Sequence, residues 1–402
     1  MDSNQLDKIY EISERRMANT AVSFHRYLCD RIDWTPRLVS VLGPRGTGKT
    51  TLLLQRMKET DGGSPSALYL SLDNVWLSPR EAYEVVEYHV KHGGTSLYLD
   101  EVHFLEGWQT LVKNLNDDFR HLRVAYTGSA LLRIEKAGGD LSRRQASYRL
   151  APMSFREYLE FEGLGVFHPI PLSELLSGHI ALARKILDQL GVVLPHFEAY
   201  LQHGGYPFYK EAGTCFEDML RQAVNQVLDV DWPKIDEVEP QTIRHARRML
   251  SVLARTAPQT PNVTALCREL GVDRKQGVRI LYALGRAGLL RLLVSDREKL
   301  KNLSTPDKLY CGDPNLMHAL AAEPDKGTLR ETFLLSQLET VAPVTYPARG
   351  DFLVDGRILI EVGGAGKTFR QIADAPDSYL AVDDIEIGRG NRIPLWMFGL
   401  LY

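Results

Sequence analysis

Cysteine is scarce and scattered: Cys29, Cys215, Cys267 and Cys311 are the four in 402 residues, and no two form a C-x-x-C pair. That spacing indicates neither a disulfide framework nor a thiolate zinc site, so reduced, structural thiols are expected. Long apolar runs are also missing. No stretch approaches the roughly 20 residues that span a bilayer. The opening Met1-Asp-Ser-Asn-Gln-Leu-Asp is neither basic nor apolar, as a signal peptide would be. A cytoplasmic protein without a membrane segment is the expectation. Net charge is only −3, but unevenly spread. From Ile243 to Tyr310 there are 14 Lys+Arg against 5 Asp+Glu, a local +9; from Asp313 onward there are 8 against 13, a local −5. A confined basic excess of this kind is an electrostatic footprint for nucleic acid. The rest, 44% hydrophobic and 25% charged, is an ordinary globular composition, with room for roughly two to four domains.

The most specific signal is Gly43-Pro44-Arg45-Gly46-Thr47-Gly48-Lys49-Thr50, the G-x-x-x-x-G-K-[ST] phosphate loop. Arg37-Leu-Val-Ser-Val-Leu before it reads as a buried strand, and the run from Thr51 reads as the first turns of a helix. The glycines let successive backbone N–H groups turn inward around a phosphate, and the helix N-terminus adds partial positive charge. Lys49 is then expected to reach the β/γ-phosphates of ATP, and the Thr50 hydroxyl to reach Mg²⁺. About 50 residues on, Ser96-Leu-Tyr-Leu-Asp-Glu is an apolar strand ending in two carboxylates. Asp100 is placed to hold Mg²⁺ through water and Glu101 to polarise an attacking water, so the chemistry expected is hydrolysis.

Strand and helix patterns alternate up to about residue 155, with strands at Leu38–Leu42, Ala67–Leu72, Leu97–Leu99 and Leu122–Thr127; a leading helix is expected over residues 1 to about 36. This order predicts a parallel α/β sheet with ligands at the strands' C-terminal ends. Residues 155 to 235 read as helical, interrupted by Gly204-Gly205-Tyr206-Pro207. The basic segment then predicts three helices, marked by Leu250 and Leu253, by Val263, Leu266 and Leu270, and by Val278, Leu281 and Leu284. Gly271 as a stop and Asp273 as an N-cap give the spacing of a helix-turn-helix. Leu289–Val294 and Lys308-Leu-Tyr could form a wing around Arg297-Glu-Lys-Leu-Lys. Arg274, Lys275 and Arg279 on the third helix are the candidates for meeting DNA; docking of a protein partner is the alternative.

With the phosphate loop, the Asp100-Glu101 strand end, Tyr126-Thr-Gly-Ser-Ala, Pro152-Met-Ser-Phe-Arg-Glu-Tyr, the Gly204–Pro207 motif and Lys308–Leu316 together, the chain resembles the prokaryotic AAA-type ATPases that carry a C-terminal domain of unknown function. The resemblance implies an α/β fold: a phosphate-loop, AAA-type parallel sheet core over 1–160, a helical lid over 161–240, a winged helix-turn-helix over 241–322 and an α/β nuclease-like domain over 323–402. It implies an ATP site including Thr51, with Pro207 over the adenine. It gives a sensor role to Thr127, with Ser129 as the alternative, and an arginine finger at Arg144 or its neighbour Arg143. A finger acting in trans implies a homo-oligomeric ring, a hexamer by preference. The last segment is similar to the PD-(D/E)xK nuclease fold, with Asp351 and Glu361 as the acidic pair, but Gly363 stands where the lysine belongs. A two-residue turn at Asp355-Gly356 would put Asp351 and Glu361 on opposite faces, and a three-residue loop, Val354-Asp-Gly with Gly356 in the left-handed region, would put them on one. Lys367 could replace the missing cation only if the Gly363-Gly-Ala-Gly loop folded it back. The function expected is an oligomeric, Mg-dependent ATPase acting on DNA; a nucleotide-gated protein-interaction switch and an ATP-regulated nuclease are the alternatives.

Overall fold

The computed structural model describes residues 3–74, 77–132, 144–255, 263–295, 306–368, 372 and 375–402. The chain divides into two compact units, one of residues 1–151 with 229–237, the other of 152–228 with 238–402.

In the first unit a parallel five-stranded sheet has the order β2-β3-β4-β1-β5, from β1 (Leu38–Gly43), β2 (Ala67–Ser71), β3 (Ser96–Asp100), β4 (Arg123–Ser129) and β5 (Ala146–Arg149). All six residues of β1 are buried, which fits a central strand covered on both faces and explains its continuous apolar run. The four strands read from sequence are present. β5 is an addition, and its residues alternate between half-buried and exposed, a weak signal beside those runs. The leading helix is Ser3–Ala18, half as long as expected. It stops at Asn19-Thr20, where the Thr20 hydroxyl folds back 2.8 Å onto the Arg16 carbonyl, a local bond that competes with helix propagation. Helix Lys49–Asp61 follows the phosphate loop and ends on Gly62 in the left-handed region. Helix Pro79–Lys91 starts with a capping box between Ser78 and Glu81. The core joins Leu38, Leu42, Leu68, Leu70, Leu97, Leu99, Val124 and Tyr126 of the strands to helix residues such as Val85, Leu111 and Leu115. Among the described residues no helix is long and apolar enough to cross a membrane.

The second unit begins with helices Phe155–Phe161, Leu172–Leu190 and Phe216–Gln226 among shorter turns. Helices Pro240–Arg255, Val263–Leu270 and Arg274–Arg286 come next, then an antiparallel pair of β6 (Leu290–Leu293) and β7 (Lys308–Cys311). Asp273 caps the third helix by accepting from the Gln276 amide at 2.9 Å, and Gly271 before it takes φ +70°. The expected loop Arg297–Lys301 lies outside the described residues. After helices Pro314–Leu320 and Lys326–Val341, a second sheet runs β12-β11-β10-β9-β8, from β8 (Val344–Thr345), β9 (Phe352–Val354), β10 (Ile358–Gly363), β11 (Ser378–Val382) and β12 (Arg392–Pro394). β8, β9 and β10 are antiparallel, and β10, β11 and β12 are parallel.

Three sequence motifs of this unit meet in one buried knot. The Gly205 amide donates to Asn315 Oδ1 at 2.6 Å, and Asn315 Nδ2 donates to the Tyr200 and Leu201 carbonyls at 3.0 and 2.8 Å. The Tyr206 hydroxyl donates to Asp313 Oδ2 at 2.6 Å, and the Met153 amide to the Gly205 carbonyl at 2.7 Å. Burial raises the Asp313 carboxyl above its usual range, while the Tyr206 hydroxyl and the Leu316 amide pull it back. Ser154 Oγ and Arg156 Nε both donate to the Tyr402 carbonyl at 2.8 Å. The side chain of Asn315 thus serves three backbone groups. Each buried group left unpaired costs about 1–3 kcal/mol, so Asn315→Ala should destabilise the protein by about 2–4 kcal/mol in denaturant unfolding. A loss below about 1 kcal/mol would show that these groups find other partners.

Candidate functional site

The phosphate loop spans the gap between the C-terminal end of β1 and helix Lys49–Asp61. Gly46 and Gly48 take φ +83° and +92°, a region that side chains disfavour and that bends the loop inward. Gly48, the helix N-cap, carries no side-chain cap, which leaves the first-turn N–H groups free of a side-chain acceptor and suited to a phosphate. Thr51 is exposed on that first turn. Buried Arg26 donates from one guanidinium nitrogen to the Thr47 carbonyl and from the other to the Ala151 carbonyl at 2.8 Å, which pins the loop from behind. Lys49 Nζ rests on the loop's own Pro44 carbonyl at 3.0 Å.

The structure brings Thr50, Asp100, Glu101 and Thr127 together. Thr50 Oγ1 donates to Asp100 Oδ2 at 2.8 Å, and Thr127 Oγ1 donates to Asp100 Oδ1. The Glu101 amide donates to Thr127 Oγ1 at 3.0 Å, so one buried hydroxyl fixes both acidic residues. Glu101 stands at φ +51°, a conformation uncommon without glycine. The turn it makes leads into the 3₁₀ segment Val102–Phe104. The Asp100 carboxylate is 3% exposed and receives three neutral O–H donors, the third from Tyr69 at 2.7 Å. A hydroxyl and a carboxylate in contact at the end of a phosphate loop form the donor set of a hard divalent cation, and the residues present fit Mg²⁺.

Tyr69, His103 and Asp231 lie beyond the sequence reading of this site. His103, buried, accepts from the Ser129 amide at Nδ1, 3.3 Å away, with Glu101 Oε2 also 3.3 Å from that nitrogen. Its Nε2 lies 3.5 Å from Asp231 Oδ1, close enough for electrostatic contact but without a hydrogen bond. Asp231, 2% exposed, also faces Arg45 of the loop at 3.4 Å. Lys234 Nζ sits 4.1 Å over the Phe104 ring. The motif Asp100-Glu-Val-His103 could have drawn notice to the histidine; Asp231, 130 residues further on, gave no local signal. Arg144 is ion-paired with Asp117, which holds that carboxyl below its usual range; Arg143 lies outside the described residues. Ser129 is buried at the end of β4 and Pro207 belongs to the second unit.

Within the second unit Arg274, Lys275 and Arg279 are all exposed. The hairpin closes on three residues, but one position later than expected: the loop is Asp355-Gly-Arg357 and not Val354-Asp-Gly, since Val354 pairs with Ile358 and Phe352 with Ile360. Continued by one step, that register sets Asp351 opposite Glu361, on one face of the sheet. Lys367 does fold back: its Nζ is 2.7 Å from Glu361 Oε1, in ion-pair contact without hydrogen-bond alignment. A Cβ at Gly363 would lie 2.5 Å from Lys367 Cβ and Cγ, so the glycine in the lysine's usual place is what lets Lys367 pass. Asp351 Oδ2 accepts from the Val362 amide at 2.8 Å, while its Oδ1 lies 3.5 Å from Lys308. Lys308 and Tyr310 donate to Glu331 at 3.3 and 2.7 Å. Burial, then the nearby Asp351, raises the Glu331 carboxyl.

Residues 35–159 match a family model described as an AAA domain, and residues 194–327 match a domain of unknown function, DUF8612. An uncharacterized protein of Methanocaldococcus jannaschii is 25% identical over 394 residues, covering 87% of this chain and 80% of its own. A second from that organism is 23% identical over 355 residues, covering 84% and 75%. The AMPPCP-bound DnaA of Aquifex aeolicus is similar at 16% identity over 71% of this chain and 89% of its own, with a TM-score of 0.25. The stretch matched as an AAA domain includes the five strands of the parallel sheet in the first unit, with the phosphate loop after β1.

Each carboxylate of the cluster at Glu361 is met by an internal cation or donor. Purified protein should therefore leave supercoiled, linear and branched DNA intact with Mg²⁺ or Mn²⁺, with or without ATP. Cleavage abolished by both Asp351→Ala and Lys367→Ala would overturn this and make Lys367 the working cation.

Proposed function

We propose that the protein is a Mg²⁺-dependent ATPase of AAA type that couples hydrolysis to binding or remodelling of DNA. The observation that carries the reading is the contact of Thr50 Oγ1 with Asp100 Oδ2 at 2.8 Å, at the end of a loop that turns on Gly46 and Gly48 in the left-handed region. In this reading the loop amides and Lys49 bind the β- and γ-phosphates, and Lys49 leaves the Pro44 carbonyl to do so. Mg²⁺, held by Thr50 and through water by Asp100, would neutralise charge on the phosphate oxygens. Glu101 accepts the proton of the attacking water. Thr127 holds Asp100 and the Glu101 backbone in register. Arg144 supplies a neighbour's γ-phosphate with a cation in trans, which requires the Asp117 ion pair to open, and a homo-oligomeric ring, a hexamer by preference, provides that neighbour. The three helices and two strands from Pro240 to Cys311 serve as a winged helix-turn-helix. Its first helix adds exposed Arg244, Arg247, Arg248 and Arg255 and no acid to the exposed set on its third. That distribution favours duplex phosphate over a protein partner.

Glu101→Gln tests hydrolysis. Nucleotide binding should persist because Lys49 and the loop amides are untouched, while turnover should fall at least ~100-fold, the usual worth of a general base. Wild-type turnover in that variant would remove Glu101 from the mechanism. For DNA, changing Arg274, Lys275 and Arg279 together to Ala should weaken binding to all duplex sequences. The slope of log K against log salt should flatten by roughly two to three units, about 0.9 for each phosphate no longer neutralised. An unchanged slope would return these side chains to solvent and favour the docking of a protein.

A further inference from the structure

The Asp100 carboxylate is tied to a helix that precedes the phosphate-loop domain. Tyr69, on β2, is 1% exposed and gives its one phenolic proton to Asp100 Oδ2 at 2.7 Å. Its oxygen accepts from Arg16 Nη1 at 2.9 Å, with the guanidinium carbon 5.5 Å from the ring centroid. Its backbone amide donates to Ser13 Oγ at 2.9 Å. Ser13 and Arg16 both lie on helix Ser3–Ala18. The chain of donors therefore runs from a cation through a phenol to the carboxylate. A guanidinium cannot give up its charge, and its N–H polarises the phenol so that the O–H it gives to Asp100 is the stronger for it.

A buried tyrosine needs some partner for its hydroxyl, and a merely structural bond would serve that need. What singles this one out is its acceptor. Oδ2 takes both Thr50 and Tyr69, which leaves the carboxylate one orientation relative to the loop. Partners behind a metal-binding carboxylate set its direction and basicity, and their loss costs about 10–100-fold in metal affinity.

We infer that Tyr69, backed by Arg16, is a positioning residue for the divalent cation at Asp100, so that the N-terminal helix sets the metal requirement of the nucleotide site. This rests on the ATPase reading above. The test uses full-length protein and titrates a non-hydrolysable ATP analogue calorimetrically, first in EDTA and then across a Mg²⁺ series. Tyr69→Phe should match the wild type in EDTA within about twofold. It should need about 10–100-fold more Mg²⁺ for the half-maximal tightening of analogue binding. Arg16→Met, on a partly exposed side of the same helix, should shift the Mg²⁺ midpoint in the same direction by less. The double variant should be no worse than Tyr69→Phe alone, since both act through one bond. A Tyr69→Phe midpoint equal to wild type overturns the inference, as does a loss of affinity equal in EDTA and in Mg²⁺, the signature of a structural role. Wild-type protein that binds no analogue under either condition overturns the ATPase reading, and this inference with it.

Discussion

A carboxylate with 3% of its surface exposed cannot stand alone in a protein interior, and the way Asp100 is accommodated governs the first unit. Burial of an ionised group without compensation is expensive, so its oxygens must find donors or a counter-ion. Here all three donors are hydroxyls, from Thr50, Tyr69 and Thr127. Each comes from a different element: the helix after the phosphate loop, β2 and β4. Meeting those donors fixes the ends of β2, β3 and β4 relative to the loop, so the need to satisfy one carboxylate also aligns the parts of the site. Neutral donors satisfy hydrogen bonding but leave the charge in place, and a charge left in place is what attracts a divalent cation.

Glu361 offers the contrast. It is as deeply buried, at 1% exposure, but its neighbour is the ammonium of Lys367. Asp351 likewise has Lys308 and the Val362 amide. Charge in the second unit is compensated within the fold, whereas around Asp100 it is kept open. Two acidic clusters of similar composition are thereby suited to different roles, and the difference lies in where the cations stand rather than in how many carboxylates there are.

The parts of this arrangement legible in sequence are those whose physics is local. The phosphate loop is eight consecutive residues whose glycines have a stated purpose, and the strand ending in Asp100-Glu101 announces itself by an apolar run cut off by charge. The Asp273 cap after Gly271 is readable because capping is a contact across three residues. Hairpin geometry narrows Asp351 and Glu361 to two outcomes, but the choice depends on one residue of register, which turn composition does not decide. Tyr69, Arg16, His103 and Asp231 are out of reach for a different reason. A tyrosine in an apolar strand and an arginine near the end of an amphipathic helix are ordinary in their own windows. Only the parallel pairing of β2 with β3 brings the phenol to Asp100. The leading helix is shorter than its sequence suggests because nothing in its hydrophobic pattern marks the fold-back of Thr20.

His103 shows how that hidden layer bears on the surroundings of Glu101. Its Nδ1 cannot accept from the Ser129 amide and donate to Glu101 Oε2 at once, although both lie 3.3 Å away. With the proton on Nε2, the one in-plane lone pair of Nδ1 takes the Ser129 amide, and the ring offers Glu101 no donor. With the proton on Nδ1, the ring holds Glu101 and the Ser129 amide loses that acceptor. The Ser129 amide selects the first arrangement, and the Asp231 carboxylate stands 3.5 Å from Nε2 in electrostatic contact without a hydrogen bond. The same carboxylate faces Arg45 of the phosphate loop. Any anion drawn to Arg45 competes with Asp231 for that guanidinium, and a carboxylate released from Arg45 is a better acceptor for His103.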